Sequence, residues 1–144
     1  MRVFLILIIV IISGCGFKIV NHTNNQNFYI SEINFSGDNK INFDLKNKII
    51  FNNSDLDKTK IILDIKTSKR KSIKEKNSKN EITKYLIAVD LLVNIKDENN
   101  NTKTLSLSDQ LDYNVNIQNS QTIIAEKDAV KTITNNLAEK LLRE

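Results

Sequence analysis

The sequence predicts an α+β fold: a four-stranded, mostly antiparallel sheet with two helices packed on one face, in the order β-α-β-β-β-α. Two observations lead to this prediction. Four segments alternate apolar and polar residues, the period of a half-buried strand, and two others repeat apolar residues every three or four positions, the period of an amphipathic helix. A sheet and helices that are each apolar on one side bury those sides against one another.

The first strand is predicted over residues 28–35. Its phase slips once, at Ser31 and Glu32, which predicts a β-bulge or an early end of the strand. Gly37 and Asp38 then stop it. The apolar residues on either side of the slip are Phe28, Ile30, Ile33 and Phe35.

The following segment, residues 40–51, repeats apolar residues at every fourth position. These residues are Ile41, Leu45 and Ile49. The repeat favours a short amphipathic helix, capped by Asp38 or Asn39. Residues 41–45 also alternate, as a strand would, so a strand remains the alternative.

Three further strands are predicted over residues 60–67, 82–96 and 105–117. A turn at residues 97–101 is short enough to join the last two as an antiparallel hairpin. Asp109 interrupts the apolar side of the last strand. It predicts a bend with an exposed carboxylate, and a bulge or a polar contact to a partner are the alternatives.

A long helix is predicted at the end of the chain, where the period of apolar residues changes from Ser120 onward. Asn119 or Ser120 is the predicted cap. The apolar stripe consists of Ile123, Val130, Ile133, Leu137 and Leu141.

The first 14 residues are predicted to be an export signal. Arg2 precedes ten uninterrupted apolar residues, 3–12, which suit a signal peptide and are too few to span a bilayer as a helix. The motif Ile12-Ser13-Gly14-Cys15 resembles the lipobox of bacterial lipoproteins, whose cysteine thiol takes a diacylglyceryl group. An ordinary signal peptide with an incidental cysteine is the alternative. The predicted divisions are residues 1–14 (lipoprotein signal peptide), 15–26 (lipidated cysteine and tether) and 27–144 (a single α+β domain).

Cys15 is the only cysteine, so it has no disulfide partner within the chain. A free thiol is a liability in an oxidising compartment, and lipidation removes that liability. The covalent lipid is the one prosthetic group that we expect. No Asp stands at Gly16 or Phe17, and in enteric bacteria an Asp next to the lipidated cysteine favours retention in the inner membrane. We therefore expect the periplasmic face of the outer membrane.

Composition and residue types argue against catalysis and nucleic-acid binding. The chain has 21 basic and 17 acidic residues, a net charge of +4 that falls to +3 without Arg2, which is a mild excess. His22 is the only histidine and lies in the predicted tether, so a histidine dyad or multi-histidine metal site cannot be built. The three glycines form no phosphate loop. We expect no enzyme activity and no metal; a carboxylate-only enzyme is the remaining catalytic alternative.

The N-terminal motif, the element order and the last segment together resemble the LptE family, the lipoproteins of the lipopolysaccharide-assembly translocon. Gly14-Cys15-Gly16-Phe17 is similar to the start of the family. Leu111-Asp112-Tyr113, with its turn into a helix that closes with residues 137–142, is similar to its end. The central strands match in pattern only. The sequence departs from the family in a basic stretch, residues 69–79, and in having no proline near Phe17.

The resemblance implies a non-catalytic protein at the periplasmic face of the outer membrane. Proteins of the family plug and chaperone a large outer-membrane β-barrel protein, LptD, and they bind lipopolysaccharide. The implied partners are an LptD-like barrel, lipopolysaccharide and the membrane, reached through the lipid anchor, and no nucleic acid. The alternative is another small lipoprotein that faces the periplasm as a binding or assembly subunit, for instance an accessory of barrel assembly.

A basic cluster lies between two central strands, in residues 69–80, which are predicted as a loop or as extended strand ends. Glu75 is the only acidic residue between Lys66 and Asn80, so local neutralisation is poor. Such a cluster can pair with phosphates of lipid A or the inner core, Arg70 with two parallel hydrogen bonds and the lysines as point charges. The predicted lipopolysaccharide-binding residues are Lys66, Lys69, Arg70, Lys71 and Lys74. A solvated loop in a lysine-rich protein is the alternative.

Overall fold

The computed structural model describes residues 28–49 and 59–144, which form one sheet and two helices. Their order is β-α-β-β-β-α, so the predicted α+β fold is confirmed. The predicted signal peptide and tether, with Cys15 and His22, lie outside the described residues. The elements in chain order are β1 (Phe28–Gly37), α1 (Asn39–Lys48), β2 (Thr59–Lys76), β3 (Ile82–Asp97), β4 (Thr102–Asn114) and α2 (Asn119–Leu141).

The four strands lie in the sheet in sequence order. β1 pairs with β2 in parallel, and the other two pairs are antiparallel. The register between β1 and β2 shifts between Ile30 and Glu32, so the bulge predicted from the phase slip is confirmed. The hydroxyl of Ser31, the extra residue, donates a hydrogen bond to the carbonyl of Ile61 at 3.0 Å.

Both antiparallel hairpins turn through short loops that contain an asparagine in the left-handed region. These are Asn80, with φ of 64°, and Asn100, with φ of 61°. Asparagine tolerates this conformation better than most residues with a Cβ. In the second turn the N–H of Asp97 donates to the carbonyl of Asn101 at 3.1 Å. The predicted turn at residues 97–101 is therefore confirmed.

β2 is much longer than its apolar alternation. The pattern predicts a strand over residues 60–67, whereas β2 runs on to Lys76 and pairs with β3 over its whole length, with register shifts around Glu75. Of the two predictions for residues 69–80, extended strand ends are correct for 69–76. The antiparallel pairing with β3 extends this polar half of β2 alongside the buried Ile87 and Val89.

Helix α1 has the predicted cap and the predicted buried residues. A side-chain oxygen of Asp38 accepts hydrogen bonds from the backbone N–H groups of Lys40 and Ile41, at 3.0 and 3.1 Å. Such a cap satisfies N–H groups that have no partner within the helix. Ile41 and Leu45 are fully buried, so the prediction of a helix is confirmed.

Helix α2 differs from prediction in its first turn. Its N-cap is Gln118 and not Asn119 or Ser120. The hydroxyl of Thr122 accepts the backbone N–H of Asn116 at 2.8 Å, which turns this residue toward the preceding loop and buries it. The next residue in a helix is rotated by about 100°, so Ile123 faces outward and is 47% exposed. The prediction that Ile123 belongs to the apolar stripe is wrong.

The apolar sides of both helices and of the sheet meet in one core. The register that aligns β3 with β4 is continuous through Asp109, so the alternative of a bulge there is wrong. The Asp109 carboxylate instead accepts a hydrogen bond from the Asn136 side chain of α2 at 3.0 Å. The largest fully buried apolar residues are Ile41, Leu45, Ile65, Ile87, Val89, Leu91, Val93, Ile133 and Leu137.

The junction between β1 and α1 is built over Thr67 of β2. Gly37 ends β1 with φ of +96°, and a Cβ at this position would lie 1.9 Å from the Thr67 carbonyl oxygen. The buried Thr67 hydroxyl accepts the N–H of Asp38 at 2.9 Å and donates to the Asn42 side chain at 2.7 Å. These contacts turn the chain out of the sheet and into the helix.

Replacement of Gly37 by alanine should therefore be strongly destabilising. The added Cβ meets backbone atoms that cannot move aside, and the positive φ is itself strained for alanine. We expect Gly37→Ala to lower the free energy of unfolding by about 2–4 kcal/mol. Urea denaturation followed by circular dichroism measures this change. The adjacent Ser36→Ala, at an exposed side chain, should stay within about 0.5 kcal/mol of wild type, and a Gly37→Ala variant equally stable would contradict the described turn.

Candidate functional site

The predicted lipopolysaccharide-binding residues all lie on the outer part of β2. We call residues 66–90, which comprise this part of β2, its turn and the facing part of β3, the basic hairpin. Successive side chains of a strand point to opposite faces, so the five residues divide into two groups. Lys66, Arg70 and Lys74 project from the face opposite the helices, and Lys69 and Lys71 project from the helix-bearing face.

Of the three predicted binding residues on the face opposite the helices, two already form ion pairs with carboxylates. The Arg70 guanidinium forms two hydrogen bonds with the Asp90 carboxylate, at 3.1 and 3.2 Å. The Lys74 ammonium lies 3.2 Å from Asp112, across β3. Lys66 is exposed and makes no ion pair with any described residue. Of the three predicted residues on this face, Lys66 is the one that can take an external anion without breaking an ion pair to a described residue.

On the helix-bearing face, Lys71 joins the hairpin to helix α2. Its ammonium lies 2.7 Å from the Glu126 carboxylate, which also accepts the Tyr113 hydroxyl at 2.9 Å. The same ammonium is 4.2 Å from the centre of the Tyr85 ring, within the range of a cation–π interaction. Lys69 is held more loosely, 3.9 Å from Asp38.

These contacts shift the protonation equilibria of the cluster. The Glu126 carboxylate is the largest cause of a raised pKa at Lys71, and Lys71 in turn lowers the pKa of Glu126. Burial raises the pKa of Asp90, but hydrogen bonds from Ser108 and Arg70 outweigh it and leave that pKa below its usual value. Lys74 lowers the pKa of Asp112. The carboxylates of Asp90, Asp112 and Glu126 are therefore charged at neutral pH.

The arrangement can bind anions on two separate faces, but it does not gather five cations around one phosphate. Residues four apart on a strand, such as Lys66 and Arg70, are about 13 Å apart at their Cα atoms. Exposed ion pairs contribute about 0–1 kcal/mol each, so an anionic ligand can compete for these lysines. Lys66 and Lys69 are the most available of the predicted set, and Lys71 is the most firmly engaged.

An apolar cavity of about 240 Å³ opens at the opposite end of the sheet, between the ends of both helices. It contains no nucleophile, and its charged lining residues are Lys103 and Glu144. Phe28 and Ile49 in its wall adjoin parts of the chain that the structure does not describe. Its other apolar lining residues are Ile30, Ile61, Leu63, Ile95, Leu105, Leu141 and Leu142.

Over residues 28–49 and 59–144, no group of three or more His, Cys, Asp or Glu side chains is placed to hold a metal ion. Within the same ranges, no helix combines the length and the apolar character that crossing a membrane requires. The candidate site therefore consists of the basic hairpin and the carboxylates that pair with its cations.

Sequence reasoning did not find the carboxylates that pair with the basic cluster. Asp90, Asp112 and Glu126 lie 20–55 residues from their basic partners along the chain. A signal existed for Asp90, because a hairpin centred on residues 78–80 places Arg70 beside it. No local pattern indicated the contact of Glu126 with Lys71, because that contact depends on how helix α2 packs across the sheet.

Comparison with solved structures identifies proteins of the same fold. Rare lipoprotein B from Shewanella oneidensis aligns with a TM-score of 0.56 and 11% identity over 78% of this chain and 91% of its own. A minor lipoprotein from Acinetobacter baumannii aligns with a TM-score of 0.58 and 15% identity, over 79% and 87%. A lipoprotein B from Nitrosomonas europaea aligns with a TM-score of 0.57 and 16% identity, over 90% and 89%.

The chain has the rare lipoprotein B fold. This fold covers most of each neighbour as well as most of the chain, so the likeness extends over the whole architecture. Comparison of sequences finds no match: no family model and no curated protein matches the chain. The low identities are the reason, since a fold can persist when few side chains are shared.

The contact of Glu126 with Lys71 should hold the basic hairpin against helix α2 of this chain. We expect Glu126→Gln to lower the free energy of unfolding by about 1 kcal/mol at pH 7, because an ion pair and a charge-assisted hydrogen bond are weakened. The lowered pKa of Glu126 means that its contribution is present above its unfolded pKa of about 4.3 and is lost as the pH falls through the folded pKa.

Urea denaturation of wild type and Glu126→Gln at several pH values tests this prediction. The difference between the two proteins should shrink toward zero as the pH falls below the lowered folded pKa of Glu126. Glu139→Gln is the matched control, because Glu139 is exposed and pairs with Arg143 on the surface of the same helix. A difference that is the same at every pH would contradict an ionic role for Glu126.

Proposed function

We propose that this protein is an outer-membrane lipoprotein of the LptE family, which forms a complex with a large β-barrel protein as its plug and chaperone and assists lipopolysaccharide assembly. The observation that carries the proposal is the fold shared with rare lipoprotein B, which is LptE. The lipobox-like motif that ends at Cys15 supports it independently, because proteins of this fold are named as lipoproteins.

The lipid anchor is the first part of the proposed function. A lipobox cysteine that carries two or three acyl chains stays on its membrane, whereas a single chain binds only marginally. Cys15 is the only cysteine available for this modification. The covalent lipid is the only cofactor that we propose.

Replacement of Cys15 by serine should abolish lipidation, because serine has no thiol to form the thioether. Cells grown with labelled palmitate should label the wild-type protein and not Cys15→Ser, and the serine variant should leave the membrane fraction. The unmutated chain, processed in parallel, is the control. Labelled Cys15→Ser, or wild type without label, would contradict lipidation at this residue.

The basic hairpin is the second part, and it would contact the phosphates of lipopolysaccharide. It presents cations on both faces, and the more available ones are Lys66 and Lys69. A phosphate that approaches Lys69 competes with a single carboxylate at 3.9 Å, a weak contact. Positive charge at a protein surface also speeds the approach of an anionic ligand.

The double variant Lys66→Glu, Lys69→Gln should weaken lipopolysaccharide binding about tenfold, because each cation that is lost removes about one charge-assisted contact of 1 kcal/mol or less. Binding of purified lipopolysaccharide to the soluble domain measures the effect. Lys131→Glu with Lys127→Gln, on the exposed side of α2, makes the same change in net charge away from the hairpin. Equal losses in both double variants would indicate a general charge effect and contradict a site at the hairpin.

Co-purification tests the proposed complex most directly. The lipidated protein is extracted from native outer membranes in mild detergent. The proteins that co-purify with it are then examined for a large, heat-modifiable barrel protein in stoichiometric amount. Such a barrel supports the proposal. A protein that emerges without one, or with inner-membrane components, would overturn it and leave a small periplasm-facing lipoprotein with a different assembly role.

A further inference from the structure

The outer half of β2 has an open edge. β1 pairs with β2 as far as Thr67, and β2 continues for nine more residues, to Lys76. Along residues 68–76, β3 occupies one side, and no described strand lies on the other. This half of β2 is therefore paired on one side only within the described chain.

The hydrogen bonds of the neighbouring strands determine which residues face this edge. The N–H of Asp97 donates to the Asn101 carbonyl, and the N–H of Val115 donates to the Thr83 carbonyl. Odd-numbered residues of β3 thus bond to β4, so in an alternating antiparallel ladder its even-numbered residues bond to β2. In the register of β2 with β3, Lys69, Lys71 and Ile73 lie opposite odd-numbered residues of β3. These three residues are therefore the ones whose backbone groups do not bond to β3.

The N–H and C=O groups of Lys69, Lys71 and Ile73 therefore point away from β3, toward the open edge. Odd-numbered residues nearer the core agree with this assignment, because the Ile61 carbonyl accepts the Ser31 hydroxyl of β1 and the Thr67 carbonyl faces Gly37. Three donors and three acceptors are thus presented in the spacing of a strand.

The usual devices that block an open edge are weak here. Proteins protect exposed edges with proline, bulges or charged side chains that lie along the edge. The chain has no proline, and the bulges of β2 lie beyond Ile73. The side chain of Lys71 is held across the helix-bearing face by Glu126, so it does not lie along the edge.

The charge along this edge indicates the chemistry of its partner. Residues 69–76 carry five cations and one carboxylate, that of Glu75. A second copy of the chain would place like charges opposite one another, which is destabilising in a sheet. An extended segment with acidic side chains would instead meet opposite charges on both faces.

We propose that Lys69, Lys71 and Ile73 form a docking edge that takes an extended acidic segment of the protein's barrel partner as an additional β-strand. The added strand would continue the line of β1 beyond Gly37, where β1 leaves the sheet. The inference rests on the proposed function, since the barrel supplies the segment. Backbone groups bind the strand and side-chain cations bind phosphate, so the hairpin can hold both ligands.

Amide hydrogen exchange tests whether the edge is open. In the full-length protein purified without its partner, the amides of Lys69, Lys71 and Ile73 should exchange at least about tenfold faster than those of Arg70 and Ser72, which bond to β3. A short peptide of alternating threonine and aspartate should slow the three fast amides, and a threonine–lysine peptide should not. Slow exchange at all five amides before any peptide is added, or equal effects of both peptides, would overturn the proposal.

Proline substitution tests the edge in the complex. Ile73→Pro removes one outward N–H and leaves the ladder to β3 intact, so barrel retained on the tagged protein should fall at least about tenfold. Ser106→Pro is the matched control. Odd-numbered residues of β4 bond to β3, so the N–H of Ser106 points to the other edge of the sheet. Circular dichroism and melting temperature establish that both variants fold.

The outcomes separate the two proposals. Loss of the barrel with Ile73→Pro and its retention with Ser106→Pro support the docking edge. Equal retention, or equal loss, by the two folded variants overturns the docking edge while the barrel complex of the wild type still stands. A wild-type protein that brings no barrel overturns the proposed function instead.

Discussion

The junction over Thr67 is the constraint on which the rest of the structure depends. At this point Gly37 takes a positive φ against the Thr67 carbonyl, and the Thr67 hydroxyl receives the N–H of Asp38. The chain therefore leaves the sheet and begins helix α1, which buries Ile41 and Leu45 in the core. Because β1 stops here, the part of β2 beyond Thr67 pairs with β3 alone among the described strands, and most of the basic hairpin lies in this part.

The junction divides the sheet into two halves with different physical character. In the first half, apolar side chains of the strands pack beneath both helices and stabilise the fold by removing apolar surface from water. In the second half, Ile87 and Val89 of β3 are still buried, but the side chains of β2 are polar and form ion pairs such as Arg70 with Asp90. Contacts of this second kind are individually weak and exchangeable, which suits a surface that binds ligands and partners.

An ion pair ties the hairpin to helix α2. Lys71 of the hairpin reaches Glu126 of α2, and Tyr113 beneath them shares the same carboxylate. This contact holds the hairpin against the helix while Lys66 and Lys69 stay more available. The basic residues thus have different tasks: Lys71 positions the hairpin, and the looser cations can meet an anion.

Much of the fold could be predicted because its signals are local. The fourfold repeat of Ile41 and Leu45 indicated a helix, and the phase slip at Ser31 indicated a bulge, since both depend on neighbours within a few residues. The outer half of β2 was harder. Its residues are almost all polar, so no apolar alternation marks the strand, which is instead paired with β3 along its length. The outward turn of Ile123 likewise depends on the loop bonded by Thr122.

By itself, the sequence determined the order of the elements, the apolar faces that form the core and the position of the basic residues, because each follows from periodicity along a short stretch of chain. The tertiary structure decided which carboxylates pair with those basic residues, which face each cation occupies and where β1 leaves an edge of β2 open. These features depend on strand register and helix packing between residues that are distant in sequence. The contact between Lys71 and Glu126, separated by 55 positions, exists only once the sheet and helix α2 have come together.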